Sequence, residues 1–257
     1  MTKLLLVGES WVSSANHFKG FDQFGSVTFH TGADRFVQGM EKAGIDVTYM
    51  KAHEAAEAFP YDIKDLDAYD VLMLSDIGSN TLLLPPDVWL RGQRVPNRLK
   101  TIESWVRGGG GLIMIGGYLT FQGIDGRGRW HRTPVEAALP VDCLPYDDRI
   151  EIPEGAIPEV AHANHPILEG VPPDWPYLLG INEIIPKPGV SEVLLRLSEE
   201  QGGHPLLVSG AHGKGHTLAW ASDMSEHWLP KPFLDWSGYD KLFENMVRWA
   251  AGKPKAI

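Results

Sequence analysis

Hydrophobic positions along this chain gather into short unbroken runs separated by amphipathic stretches, a spacing that predicts alternating strands and helices. Leu4-Leu5-Leu6-Val7 is the first run and stops at Gly8-Glu9-Ser10. Ile45 to Met50, Val71 to Leu74 and Leu112 to Ile115 are the next three. Short apolar runs bounded by glycine or polar turns read as buried strands, and strands apolar on both faces belong to parallel sheets. Between them, Phe36, Val37, Met40 and Ala43 recur at helical spacing, and Gly44 ends that helix. His53 to Phe59 predicts a short helix limited by Pro60, and Leu99, Ile102, Trp105 and Val106 form the inner stripe of a helix over 96–107. The order β-α-β-α-β-α-β predicts a doubly wound parallel sheet with right-handed crossovers.

The second half is less regular. Residues 121–148 are loop-rich, with one short helix expected from the cap Thr133 and Pro134 to Leu139. Residues 149–205 hold many prolines and β-like pieces at 158–161, 181–186 and 193–197, expected to extend the sheet with antiparallel strands. Pro205 to Ser209 and Thr217 to Ala221 predict paired strands around Gly213-Lys214-Gly215, and Tyr239 to Ala250 a closing helix. The stretch after Glu9, with Trp11, His17, Asp22 and His30, reads as a long loop over the end of the first strand; such loops are often functional. The whole chain, 1–257, reads as one domain, with only Lys253 to Ile257 outside the folded unit.

Composition narrows the function. A hydrophobic fraction of 43% supports a core, and no apolar stretch is long enough to span a membrane. The start lacks the pattern of a secretory signal, and a single cysteine, Cys143, excludes an internal disulfide framework and a multi-cysteine zinc site. A cytoplasmic protein is expected. The net charge of -10, without a basic cluster, argues against nucleic acid as a partner. Trp11, Phe21, Tyr118, Phe121, Trp130, Trp228 and Trp236 fall in loops or near strand ends, and aromatic faces alongside Asp, Asn, Gln and His suit a small polar molecule.

The stretch Gly108 to Gly123, GGGGLIMIGGYLTFQG, turns the fourth strand sharply at its carboxyl end, where open α/β sheets bind ligands. Neither GxGxxG after the first strand nor GxxxxGK[ST] is present, so nucleotide binding of those kinds loses support. The strand order, this glycine turn, and GKGHTLAWASDMSEHW before the closing helix resemble the class I glutamine amidotransferase-like family, with a more distant similarity to trehalose-utilisation proteins. The resemblance implies an α/β, flavodoxin-like three-layer sandwich with a central, mostly parallel sheet and an antiparallel extension. In that family a nucleophilic cysteine sits in a G-x-C-x-G elbow and is paired with His and Glu from a late strand end. Here the elbow reads Ile115-Gly116-Gly117-Tyr118-Leu119, without cysteine, and the late strand end offers Ser222-Asp223 and His227-Trp228. Thiol attack on a glutamine amide therefore lacks its nucleophile.

What remains at the strand ends is a polar set. Glu9, Asp76, Asp223 and His227 are the candidate catalytic residues, with Trp11, His17, Gly117, Tyr118, Phe121, Gln122, His212 and Trp228 as candidate ligand contacts. Carboxylates with imidazoles activate water either as general bases or through a divalent metal, and zinc would need about three such ligands. Backbone amides around Gly117 and Tyr118 are expected to hold an oxyanion. This reading is a hydrolase of a small amide or sugar derivative. Its rivals are a non-catalytic carbohydrate or metabolite binder, and a subunit whose altered cleft serves an assembly interface, burying Trp11, Phe21 or Trp130 against another subunit; symmetric homo-oligomers are common among such sheet proteins.

Overall fold

The computed structural model describes residues 1–252; the expectation for Lys253 to Ile257 lies outside the described residues. The elements run β1 (Thr2–Gly8), β2 (Ser10–Lys19), β3 (Asp22–Thr31), α1 (Asp34–Lys42), β4 (Ile45–Met50), α2 (Ala52–Ala58), α3 (Ile63–Leu66), β5 (Val71–Ser75), α4 (Ser79–Leu83), α5 (Pro86–Trp89), α6 (Arg98–Gly108) and β6 (Gly111–Ile115). They continue with α7 (Pro134–Ala138), β7 (Val141–Cys143), β8 (Arg149–Ala156), β9 (Glu159–Val160), β10 (Leu178–Asn182), β11 (Ile184–Pro186), β12 (Ser191–Arg196), β13 (Pro205–His212), β14 (Gly215–Trp220), α8 (Lys231–Leu234) and α9 (Tyr239–Ala250).

Eight strands form the main sheet in the order β4-β1-β5-β6-β14-β13-β12-β9. The first five are parallel neighbours. The last three turn antiparallel. The fold is thus the flavodoxin-like α/β sandwich with an antiparallel extension. Leu4 to Val7, Val71 to Leu74 and Leu112 to Ile115 are completely buried, which is why these strands read as continuous apolar runs. Helices flank the sheet. Phe36 of α1 meets Phe243 of α9 edge to face at 5.5 Å, while Leu99, Ile102 and Val106 of α6 join the same core. Asn97 caps α6 by accepting from Leu99 N–H and Lys100 N–H, and Thr133 caps α7 by accepting from Glu136 N–H.

Two expectations are corrected. Segments β9 and β12 do extend the main sheet, but 181–186 does not. There β10 pairs with β8 and β11 with β7, as separate two-stranded pieces beside the strand ends. The stretch after Glu9 is not a loop but a long antiparallel hairpin, paired without slippage from Ser10↔Thr31 to Lys19↔Asp22. Its turn is Gly20-Phe21, with Gly20 at φ 67°, the left-handed position that a two-residue hairpin turn assigns to glycine. The hairpin escaped sequence reading because nearly all of both its faces is exposed. A ribbon with no buried face has no reason to alternate apolar and polar residues.

Candidate functional site

Strands β1, β5, β6 and β14 end at one edge of the sheet, and the segments that follow carry the acidic and aromatic groups. β1 closes with Gly8 at φ 107°, where an added Cβ would lie 2.0 Å from the Ser75 carbonyl oxygen. Glu9 follows at φ 45°, and its N–H donates to Ser75 O at 2.8 Å. Asp76 stands at the matching place after β5, at φ 42°. Left-handed backbone at a non-glycine residue costs on the order of 1 kcal/mol or more and tends to collect at functional sites. Among the described residues all six such positions (Glu9, Asp76, Phe121, Asp125, Arg129 and Arg132) follow β1, β5 or β6, so the irregular backbone is concentrated at this edge.

Three carboxyls stand close enough here for each to feel another's charge. Glu9 is buried; its Oε2 accepts from Ser75 Oγ at 2.6 Å and its Oε1 from Ser225 Oγ at 2.9 Å. Ser225 N–H and Met224 N–H donate to Asp223 Oδ1 at 3.2 and 2.7 Å, so one serine links two acids. Asp76 Oδ1 accepts from Leu119 N–H at 2.7 Å. Burial, reinforced by the charge of Asp76, pushes the Glu9 carboxyl up to about 7 against the two serine hydroxyls. Burial likewise raises Asp223 well above the carboxylate range, and the charges of Glu9 and Asp76 add to it. Asp76 is raised by burial too, opposed by the backbone amides of Leu119 and Tyr118 and by His227. Like charges close together in a poorly solvated site do not all ionise, so Glu9 beside charged Asp76 keeps its proton to a higher pH than an ordinary carboxyl.

His227 lies within electrostatic reach of Asp76. Burial of its ring lowers its pKa below the ordinary histidine value, opposed by Glu151 and Asp76. Its imidazole is therefore mainly neutral at pH 7. Around it stands a rim of rings and charges. Tyr118 meets His227 edge to face at 4.4 Å and Trp228 at 5.9 Å. Trp228 Nε1–H donates to Glu151 Oε2 at 3.0 Å, and the Arg149 guanidinium lies 4.9 Å from the centre of the Tyr118 ring.

The glycine turn is built by packing rather than by a nucleophile. A Cβ on Gly116 would lie 2.3 Å from Ala221 O, and one on Gly117 would lie 3.0 Å from Asp76 Oδ1. Gly117 N–H donates to Asn182 Oδ1 at 2.9 Å, and Asn182 Nδ2–H donates to Gly117 O and to Asp148 Oδ1. Buried Asp148 also accepts from Gln122 N–H at 2.7 Å and Gly123 N–H at 2.8 Å. The expected oxyanion hole is corrected by these bonds. The Gly117 amide is taken by Asn182, and those of Tyr118 and Leu119 by Asp76.

The structure therefore brings together Glu9, Asp76, Asp223, His227, Gly117, Tyr118 and Trp228, although the indole of Trp228 is itself buried. The other candidates lie elsewhere or are occupied. His212 is at the opposite end of the sheet, at the start of the β13–β14 turn, 2.6 Å from Glu103 of α6. His17 stacks on Phe24 and bonds Ser26 in the hairpin, about 25 Å of strand beyond Glu9 at ~3.4 Å per residue. Trp11 sits at the hairpin root, stacked on His30. Phe121 is core, and Gln122 spends its side chain within its own loop, on Gly126 O and His131 N–H. Trp130 is also core, its Nε1–H donating to Ile77 O, and offers nothing to another subunit.

Sequence reading missed Ser75, Ser225, Asp148, Glu151, Arg149 and Asn182. The two serines adjoin or nearly adjoin the acids already singled out, a usable signal. The other four come from the irregular half, whose path no periodicity reveals. Cys143 is buried on β7, away from the elbow, and its thiol is pushed far up by burial and by neighbouring carboxylates. Among the described residues no group of three or more His, Cys, Asp or Glu side chains is arranged to hold a metal ion. An open groove of about 600 Å³ between α3 and α6, lined by Tyr61, Lys64, Asn97 and Lys100, contains none of the candidate residues.

Comparison with known proteins agrees with this architecture. Two proteins of Salmonella typhimurium described as cytoplasmic, STM3548 and STM1381, have similar solved structures. The first is 38% identical with a TM-score of 0.91, covering 96% of this chain and 98% of its own. The second is 39% identical with a TM-score of 0.91, covering 97% and 99%. A ThuA-like protein of Parabacteroides merdae shares the fold at 14% identity and a TM-score of 0.55, covering 100% of this chain and 92% of its own. No curated protein matches. The family model described as "Putative glutamine amidotransferase" matches residues 3–252, and the chain belongs to that glutamine amidotransferase-like family.

Proposed function

We propose that the crevice beyond β1, β5, β6 and β14 hydrolyses a small polar molecule, an amide or sugar derivative, by acid–base chemistry without a covalent thiol intermediate. The observation that carries this reading is the meeting of Asp76 and Glu9, the latter pushed up to about 7, with a neutral imidazole. Neutral His227 is suited to take a proton from attacking water, and the proton that Glu9 holds beside Asp76 is suited to reach the leaving group through Asp76. Asp76 and His227 are the groups open to a ligand. Buried Glu9 and Asp223 stand behind them and tune their charge. Tyr118, Arg149 and Glu151 on the rim supply a ring face and both signs of charge for binding. A cytoplasmic location agrees with the description of the two Salmonella proteins.

A screen of small amides and glycosides against the wild-type chain, Asp76→Asn and His227→Ala tests the reading. Turnover that falls at least about a hundredfold in both variants is expected, in line with the usual worth of a positioned acid or base. Binding without turnover would replace the hydrolase by a binding protein, and turnover untouched by either substitution would move the chemistry elsewhere.

A further inference from the structure

Beyond its root, the β2–β3 hairpin takes no part in the site. Ten paired positions give it a length of about 33 Å at ~3.4 Å per residue, while a chain of this size has a radius of gyration of roughly 18 Å. Among the described residues its anchoring bonds lie near the base. Ala52 N–H donates to Ser10 Oγ at 2.8 Å, Gly32 N–H donates to Glu9 O at 2.9 Å, and Phe29 meets His53 edge to face at 5.2 Å. Above that, Phe18 is 71% and Val27 74% exposed, and Phe21 at the tip is fully exposed. Strand alternation puts Val12, Val27 and Phe18 on one face, and Trp11 and Phe24 on the other.

An isolated two-stranded ribbon is marginal in water, and exposed apolar ribbons are normally blunted with charge. Here Lys19 and Asp22, paired beside the turn, are the only formally charged residues in 10–31, so the arm is neutral in a chain of charge -10. A like-charged copy repels this neutral arm less than it repels the acidic body. At ~200 Å² per aromatic side chain, the exposed parts of Trp11, Val12, Phe18, Phe21, Phe24 and Val27 offer on the order of 800 Å², what one partner contributes to an interface of standard size. Both faces of the ribbon are enriched in the aromatic residues and depleted in the charges in the way interface cores are. A bilayer is less well matched, because a strongly acidic body is held off an anionic surface.

We propose that the β2–β3 hairpin is an assembly arm that docks on a second copy of this chain. Symmetric pairing of identical subunits is the commonest way for a soluble protein to bury such a surface. Because the arm springs directly from Glu9 and returns through Gly32, docking also braces the backbone that sets the Glu9 position.

The test is sedimentation velocity over a dilution series of the full chain, alongside Phe18→Ser/Val27→Ser and the single change Phe21→Ser. Wild type is expected to sediment as a dimer or larger closed assembly. The double variant is expected to associate about a hundredfold more weakly or worse, since buried anchors of this kind carry most of an interface. Phe21 is fully exposed and cannot be a folding requirement, so an unchanged circular dichroism melt with weakened association in that variant separates docking from misfolding. A wild-type chain that stays monomeric throughout overturns the proposal, as does association unaffected by all three substitutions. So does a monomer whose arm inserts into phosphatidylglycerol vesicles instead.

Discussion

Replacing Glu9 by glutamine should stabilise the protein at alkaline pH and leave it nearly unchanged in acid. The two side chains have the same shape, and the amide can still accept from one of Ser75 and Ser225 while donating to the other hydroxyl. What changes is charge. The folded-state pKa of Glu9 lies above its ordinary value of 4.5, at about 7, so the native state binds this proton more tightly than the unfolded chain does. Its favourable contribution is complete below pH 4.5 and is lost as pH rises through 7. At ~1.4 kcal/mol per pH unit the loss amounts to about 3 kcal/mol. Glutamine never ionises and escapes it. Removing the Glu9 charge also relieves Asp223 and Asp76, which works in the same direction. Urea unfolding followed by circular dichroism from pH 5 to 8 measures the effect. With a slope of ~3 kcal/mol per molar, the variant's midpoint should exceed wild type by about 1 M at the alkaline end. Curves that run parallel across this range would refute the claim that Glu9 holds a proton, and the acid–base reading of the site would lose its main support.

The remaining expectations concern the scaffold and the thiol. Asp148→Ala leaves the amides of Gln122, Gly123 and Asn182 without their common acceptor and should cost about 3 kcal/mol or more, at ~1–3 kcal/mol for each unpaired buried donor; a loss under ~1 kcal/mol by urea unfolding would refute it. Gly117→Ala forces a side chain into left-handed backbone against Asp76 and should lower stability by about 1–3 kcal/mol, read in the same assay. Cys143 should react with an aromatic disulfide reagent only as fast as the protein unfolds; prompt labelling of the native protein would contradict its burial and raised pKa. Metal analysis of protein purified without chelator separates the two routes: a stoichiometric ion that disappears in Glu9→Ala or Asp76→Ala would establish the metal route, and no ion in any preparation would leave metal-independent acid–base chemistry.

The sequence by itself determined the parallel half of the fold. Strands apolar on both faces, such as 4–7 and 112–115, and helices with one apolar stripe, such as 98–108, write their periodicity directly into the residue order. It also placed Glu9, Asp76, Asp223 and His227 at strand ends, because topology alone sends the carboxyl ends of parallel strands to one edge. The absent elbow cysteine was equally plain. Tertiary structure decided the rest. Whether His17 or His212 reaches the crevice depends on how a ribbon projects and which end of an antiparallel strand is reached, and neither leaves a local pattern. The amides at Gly117 and Leu119 could be known as occupied only once Asn182 and Asp76 were seen beside them, since 65 and 43 residues of chain separate the partners. Proton holding by the acids belongs to the same class, because a carboxyl's pKa is set by the water it loses and the charges it meets, and both are properties of the assembled site.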